Sequence, residues 1–220
     1  GAQRVEGVSG VSEVRAAGRL TCARREDGTV TCWGENQEGQ VGDGKVKGLR
    51  VVDEPAVLSR RGALEMALGD DHMCMRTASG NVQCWGSKYE GQLAVPEGLS
   101  LRALAAGSDN TCGLTAGGDL WCWGKGELTR SLLPKKHPDG WRNVKVKIAT
   151  VPGAQDLVFG AGHACLRTAS GAVQCWGRSW RDTKGKSRYD AEGPFAVGGL
   201  GKATDLAAGK DQTCAVVEDG

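Results

Sequence analysis

The sequence predicts an all-β fold of the propeller type, and three observations carry that prediction. The fourteen-residue stretch Thr21 to Gly34 is written repeatedly, with cysteines paired as Cys22/Cys32, Cys74/Cys84, Cys112/Cys122 and Cys165/Cys175, ten residues apart and ending in Cys-Trp-Gly. A fifth copy opens at Cys214, and in all five a glycine follows six residues after the first cysteine: Gly28, Gly80, Gly118, Gly171 and Gly220. The first cysteines recur at spacings of 52, 38, 53 and 49 residues, the period of blades carrying four strands each.

Within each copy the spacing dictates a β-hairpin. A three-residue loop such as Glu26-Asp27-Gly28 puts glycine at the left-handed position of the turn. Counting outward pairs Arg25 with Thr29, Arg24 with Val30, Ala23 with Thr31 and Cys22 with Cys32. Alternation makes the cysteine pair non-hydrogen-bonded, with Cα atoms roughly 4.5 Å apart, a separation a disulfide accepts. Four cross-strand disulfides follow, and with them an oxidising compartment: periplasm, cell surface or the outside of the cell. Reduced thiols filling small core positions would not repeat at one spacing, and no pair has the short gap of a zinc knuckle.

The remaining elements fall in order around the hairpins. A short apolar strand ending in glycine precedes each first cysteine, at Glu13 to Gly18, Leu64 to Gly69, Arg102 to Gly107, Asp156 to Gly160 and Asp205 to Gly209. A fourth, variable strand is placed near Pro55 to Leu58, Leu93 to Pro96, Val144 to Val151 and Pro194 to Val197. The blades then run over residues 13–60, 61–100, 101–152, 153–202 and 203–220. Residues 1–12 read as the last strand of a preceding blade, and the chain stops in mid-hairpin, so about four and a half blades of a longer ring are expected. Period-two alternation puts Val30 and Cys32 on one face of the third strand and Trp33 on the other, repeated at Val82/Cys84/Trp85, Leu120/Cys122/Trp123 and Val173/Cys175/Trp176. Both faces are thus equipped to pack against neighbouring blades, which assigns the four tryptophans to the core between blades.

Composition narrows the class further. The chain of 220 residues holds 35 glycines, about twice the usual share of ~7%, and seven of its eleven aromatic residues are tryptophan. No apolar run approaches the ~18 residues of a membrane span. No signal peptide is present, though Gly1 is not a natural start and leaves a removed leader open. The net charge of +2 says little about partners.

The run from Ala16-Ala17-Gly18 through Cys32-Trp33-Gly34-Glu35-Asn36-Gln37-Glu38-Gly39-Gln40-Val41-Gly42 resembles the repeat of the regulator of chromosome condensation family. Gly91-Gln92-Leu93 repeats the loop glycine and glutamine, and His72 and His163 fall at a histidine position found before the second strand. The resemblance covers nearly the whole chain and implies a seven-bladed propeller. Paired cysteines are similar to those of the extracytoplasmic bacterial branch and depart from the nuclear member, a guanine-nucleotide exchange factor. The third and fourth copies depart from the Gly-Gln loop, reading Gly124-Lys125-Gly126-Glu127-Leu128 and Gly177-Arg178-Ser179-Trp180-Arg181.

Two candidate surfaces emerge. The long connections 125–147 and 178–190 are basic and carry aromatic residues, with Lys135, Lys136, Trp141, Arg142, Trp180, Arg181 and Tyr189 as the residues expected to engage a partner. An acidic protein surface or an anionic glycan suits them, and nucleic acid is a poor partner in an oxidising compartment. The second is a polar funnel on the propeller axis from Asp71, His72, Asp109, His163 and Asp211, able to hold a cation; ordinary turn chemistry accounts for the same residues. Three histidines, His72, His137 and His163, with no nucleophile elbow, phosphate loop or metal triad, leave catalysis unsupported and no cofactor or metal is assigned. The reading is a secreted or surface-displayed protein-interaction platform. Its alternatives are an inhibitor of an extracellular enzyme, which the resemblance implies, an enzyme or metal-dependent binder at the funnel, and, least supported, nucleotide exchange.

Overall fold

The structure is a computed structural model. It describes residues 4–44, 51–59, 62–125, 144–177 and 193–218, together with residues 180–181 and 187–188 by their backbone alone. Every regular element among these is a strand. The first sheet has four strands, β1 (Val11–Ala17), β2 (Leu20–Arg25), β3 (Val30–Glu35) and β4 (Val51–Ser59), hydrogen-bonded in that order. The second has three: β5 (Ala63–Leu68), β6 (His72–Thr77) and β7 (Val82–Gly86). The third runs through β8 (Leu101–Ala106), β9 (Asn110–Thr115), β10 (Asp119–Gly124) and β11 (Lys145–Thr150). In the fourth, β12 (Ala154–Phe159), β13 (His163–Thr168) and β14 (Val173–Gly177) are closed by β17 (Phe195–Ala196). A small hairpin, β15 (Trp180–Arg181) with β16 (Ser187–Arg188), lies between them in sequence, and β18 (Ala203–Ala208) with β19 (Thr213–Val217) forms the last sheet.

The hairpin register is the one the cysteine spacing dictates. Cys22 faces Cys32, Ala23 faces Thr31 and Arg24 faces Val30, with the turn closed by Arg25 N–H donating to Thr29 O at 2.9 Å. All four cysteine pairs are bonded, each with Cα atoms 4.1 Å apart, and Cys214 is free and exposed. The turn glycines do more than adopt positive φ. The carbonyls of Gly28, Gly80 and Gly171 accept the N–H of Ala63, Leu101 and Ala203, where the next sheet begins, at 3.2, 3.0 and 2.9 Å. A Cβ on Gly28 would come within 2.6 Å of Gly62 N, so the same residue sets both the turn and the approach of the following blade.

Two expectations need correction. Residues 93–96 form no strand: residues 87–100 connect β7 to β8 without pairing along β7, and the second sheet has three strands among the described residues. Val11 and Ser12, assigned to a preceding blade, open β1 instead, where Ser12 Oγ donates to Arg24 O across a β-bulge at 3.1 Å. The remaining fourth strands coincide with β4, β11 and β17.

Packing between sheets follows one rule. The disulfide face of one sheet meets the tryptophan face of the next: Cys22 and Cys32 share a cluster with Trp85, Cys74 and Cys84 with Trp123, Cys112 and Cys122 with Trp176. Phe159 meets Trp176 edge-on, ring centroids 6.5 Å apart. Trp123 and Trp176 are both fully buried, but only the first has its polar atom satisfied: Trp123 Nε1 donates to Gln92 O at 2.9 Å, whereas Trp176 Nε1 has no partner among the described residues. Trp123→Phe should cost the fold about 1 kcal/mol beyond the lost apolar contact, measured by urea denaturation, because it leaves the buried Gln92 carbonyl unpaired.

Candidate functional site

The first strands, β1, β5, β8, β12 and β18, pack side by side in that order and line an open channel of about 1050 Å³. Each carries a bulge against its second strand at the same place, and the residue after the bulge is Glu13, Glu65, Ala103, Asp156 or Asp205. Facing these are Arg24, Arg76, Leu114, Arg167 and Val216. Where acid meets arginine they bond. Arg24 Nε lies 2.9 Å from Glu13 and Arg76 Nε 2.9 Å from Glu65, and Arg167 pairs with Asp156. The third blade swaps the ionic pair for Ala103 and Leu114, both apolar. This latch was missed at the level of sequence, yet its signal is there: an acid nine residues before the first cysteine and an arginine two after it, in three copies of five.

Glu65 shows what the latch demands. Its pKa is raised by burial, against which Arg76 and the backbone N–H of Leu104 in the next blade hold the charged form, while Glu13 adds repulsion. The side chains are 26% and 14% exposed, so removal of one partner leaves a desolvated charge behind. Arg76→Leu should cost about 2–3 kcal/mol in urea denaturation, and Glu65→Ala added to it, which recreates the third blade's pair, should recover most of the loss.

The funnel expected on the axis divides. Asp71 and Asp109 are exposed in the turns at one mouth of the channel. Both have raised pKa values: Asp71 from desolvation, then Asp70 and Glu35, and Asp109 from desolvation, then Glu90, Asp70 and Asp71, offset by Lys125. Asp211, also exposed, is close enough to favour protonation of His163. The histidines, however, leave the funnel. His72 is 0% and His163 3% exposed, each turned between sheets. His72 Nε2 is hydrogen-bonded to Thr111 Oγ1 at 2.9 Å and His163 Nε2 to Thr213 Oγ1 at 2.7 Å, in both cases the residue before the next blade's first cysteine. Repetition fixed the height of these side chains but not their direction. The glycine ending each first strand explains it: a Cβ at Gly69 or Gly160 would fall 2.2 Å from the imidazole Cε1, so the ring occupies the space the glycine leaves.

Burial lowers His72 to about 4 and also lowers His163, so both stand neutral in the fold near pH 7. An unfolded histidine titrates at about 6.5, hence the unfolded chain takes up the proton first as pH falls. The contribution of His72 is complete above about pH 6.5 and is lost progressively toward pH 4, up to about 3 kcal/mol. Urea midpoints taken at pH 7, 6 and 5 should fall in that order, and His72→Leu with Thr111→Met, which copies the Leu20 and Met73 of the first junction, should flatten the slope.

Of the partner-binding residues, Lys135, Lys136, Trp141, Arg142 and Tyr189 lie outside the described residues. Trp180 and Arg181, expected in a loop, form β15, pairing with Arg188 and Ser187. Of the eight paired cysteines seven are buried and Cys84 is half-buried, and all join the clusters between sheets.

These features define a β-propeller with sheets arranged about a polar axis. A family model for the regulator of chromosome condensation (RCC1) repeat matches residues 20–40, 65–92 and 102–128. Three segments of the chain, about a third of its residues, thus match the RCC1 repeat. Among relatives, the mitochondrial RCC1 domain-containing protein RUG3 of Arabidopsis thaliana is 28% identical over 92 residues, 42% of this chain and 20% of that protein. Solved structures of similar fold include yeast RCC1 (Prp20) bound to Kap60, with TM-score 0.74, 20% identity and 96% of this chain covered against 54% of that one. Human WBSCR16 gives TM-score 0.77 at 20% identity, covering 98% of this chain and 60% of that one. The ectodomain of the Arabidopsis thaliana receptor kinase ACR4 gives 0.60 at 22%, covering 97% and 62%. The chain thus spans a fifth of the length of RUG3 and 54–62% of these solved chains.

Proposed function

We propose that this propeller is an extracytoplasmic protein-interaction platform, with no chemistry of its own, whose partner is engaged by the basic connections that follow the third strands of blades three and four. The observation that carries the reading is the division between rigid and variable parts. Hairpins, disulfides, tryptophans and latches hold the blades to one template, while residues 125–147 and 178–190 depart from it in charge and aromatic content. Among the similar structures, yeast RCC1 is bound to Kap60, and Prp20p is described with binding properties to Gsp1p and histones, so propellers of this type do serve protein partners. Four bridged cysteine pairs favour an oxidising compartment. Among the described residues no helix is long and apolar enough to cross a membrane. Lysines, arginines and tryptophans together suit an acidic protein surface, including that of an extracellular enzyme to be inhibited.

The test joins compartment to surface. Mass spectrometry of the chain purified from its native source under non-reducing conditions should find Cys22–Cys32, Cys74–Cys84, Cys112–Cys122 and Cys165–Cys175 bonded, and free thiols would end the extracytoplasmic reading. Trp180→Ala with Arg181→Ala should weaken capture of the partner at least tenfold while leaving the urea midpoint in place; unchanged affinity would remove the loops from the reading.

A further inference from the structure

The second sheet lacks the strand that its sisters have. In sheets one, three and four the third strand is paired on its outer side by β4, β11 and β17, but among the described residues nothing pairs with the outer side of β7. Register tells which atoms are left over. Thr77 N–H donates to Asn81 O, so Arg76 with Val82 and Cys74 with Cys84 are non-hydrogen-bonded pairs, and the N–H and C=O groups of Val82, Cys84 and Gly86 point away from β6. The equivalent groups elsewhere are used. Val173 O, the counterpart of Val82 O, accepts from Val197 N–H at 2.9 Å, and Gly124 N–H, the counterpart of Gly86 N–H, donates to Val144 O at 3.1 Å.

Exposure agrees with the ladder. Val30, Cys32, Leu120, Cys122, Val173 and Cys175 are all buried, whereas Val82 and Cys84 are only half-buried and Gln83 is exposed. Val95 and Leu99 from the short connection pack against the same buried cluster as Val82 and Cys84, supplying apolar contact without main-chain pairing. What remains is a short edge with a row of free donors and acceptors, the form that recruits an extended chain.

We infer that the outer edge of β7 is a docking site for an extended segment of a partner protein, which adds to the second blade as its fourth, antiparallel strand. The three sister strands specify the segment. Opposite the second cysteine they place Ala56, Val146 and Phe195, and two residues on they place Leu58, Ile148 and Val197, all of which join the core. The segment that fits therefore carries two apolar residues separated by one, the first opposite Cys84, and has free N–H groups on that side. This site stands apart from the basic loops and can fail or succeed without them.

The test uses the oxidised chain and, as probe, the peptide acetyl-Lys-Val-Lys-Ile-Ala-Thr-amide, which copies β11. Amide exchange followed by NMR in the free chain should be at least tenfold faster at Val82, Cys84 and Gly86 than at Leu120, Cys122 and Gly124. Millimolar peptide should slow the first set at least tenfold, and the same peptide N-methylated at its valine, whose N–H faces the edge, should not. Val82→Pro should abolish the effect at unchanged thermal midpoint, because that N–H points outward and the ring obstructs only the edge. Equal protection of both sets in the free chain, equal action of the N-methylated peptide, or no protection at millimolar peptide would each overturn the inference. Protection that rises with the chain's own concentration would assign the edge to a second copy and overturn the partner-protein reading. Loss of binding in the Trp180, Arg181 variant with this edge intact would bear on the loops alone.

Discussion

Everything in this structure rests on a contact between one blade's sulfur pair and a single residue of the next. Met73 Sδ lies 3.7 Å from Cys22 Sγ and 3.5 Å from Cys32 Sγ, Thr111 Oγ1 lies 3.7 Å from Cys74 Sγ, and Thr213 Oγ1 lies 3.5 Å from Cys165 Sγ. Each contacting residue stands immediately before its own blade's first cysteine, and at the remaining junction that position is Ala164, in one cluster with Cys112 and Cys122. A bonded pair holds its sulfurs about 2 Å apart, where two thiols must stand well beyond that. Reduction therefore pushes sulfur into junctions packed to the density of an interior, and the stacking as well as the hairpin depends on the bond. The tryptophan on the opposite face gives the array its sense, since a disulfide face can be covered by a tryptophan face but not by a copy of itself.

Given a fixed backbone template, side chains at the junctions can change only in matched sets. Where the earlier blade offers His72 or His163, the later one offers a threonine hydroxyl; where it offers Leu20, the later one offers Met73, in the same apolar cluster. The axial latch obeys the same logic with charge, acid with arginine in three blades and alanine with leucine in the third. A buried polar group without its partner costs more than an apolar pair of the same size, so mixed combinations are the ones the packing penalises. Asp205 shows the exception that proves the geometry: facing Val216, it lies exposed and turns its carboxylate to the N–H of Leu206 at 2.8 Å.

Much of the fold was legible because its determinants are local. A ten-residue cysteine spacing, a glycine at a fixed offset and a two-residue alternation fix turn, register and face with no knowledge of the rest of the chain. The latch was harder to see because a bulge separates Glu13 from the count that pairs Arg24, and simple alternation does not cross a bulge. The histidines were misdirected for a different reason: equivalent positions share a height around the axis, but whether a side chain points inward or sideways depends on the void left by Gly69 or Gly160 in the neighbouring strand. Leu93 to Pro96 read as a strand, yet they lie in the connection 87–100, the shortest of those that follow a third strand.

Where a repeat protein keeps its backbone groups paired internally, specificity for partners has to come from what the repeat leaves out. The glycines at both ends of the first two strands leave neighbouring blades no room for a Cβ, since one on Gly69 would fall 2.5 Å from Gly107 O, so added bulk in the axis-side or hairpin turns would separate blades. Variation is confined to the connections after the third strands. Changing the residues of one, as after β10 and β14, puts basic and aromatic side chains on the template; shortening one, as after β7, uncovers main chain that the template would have paired. The second departure offers recognition that depends on backbone and register more than on charge.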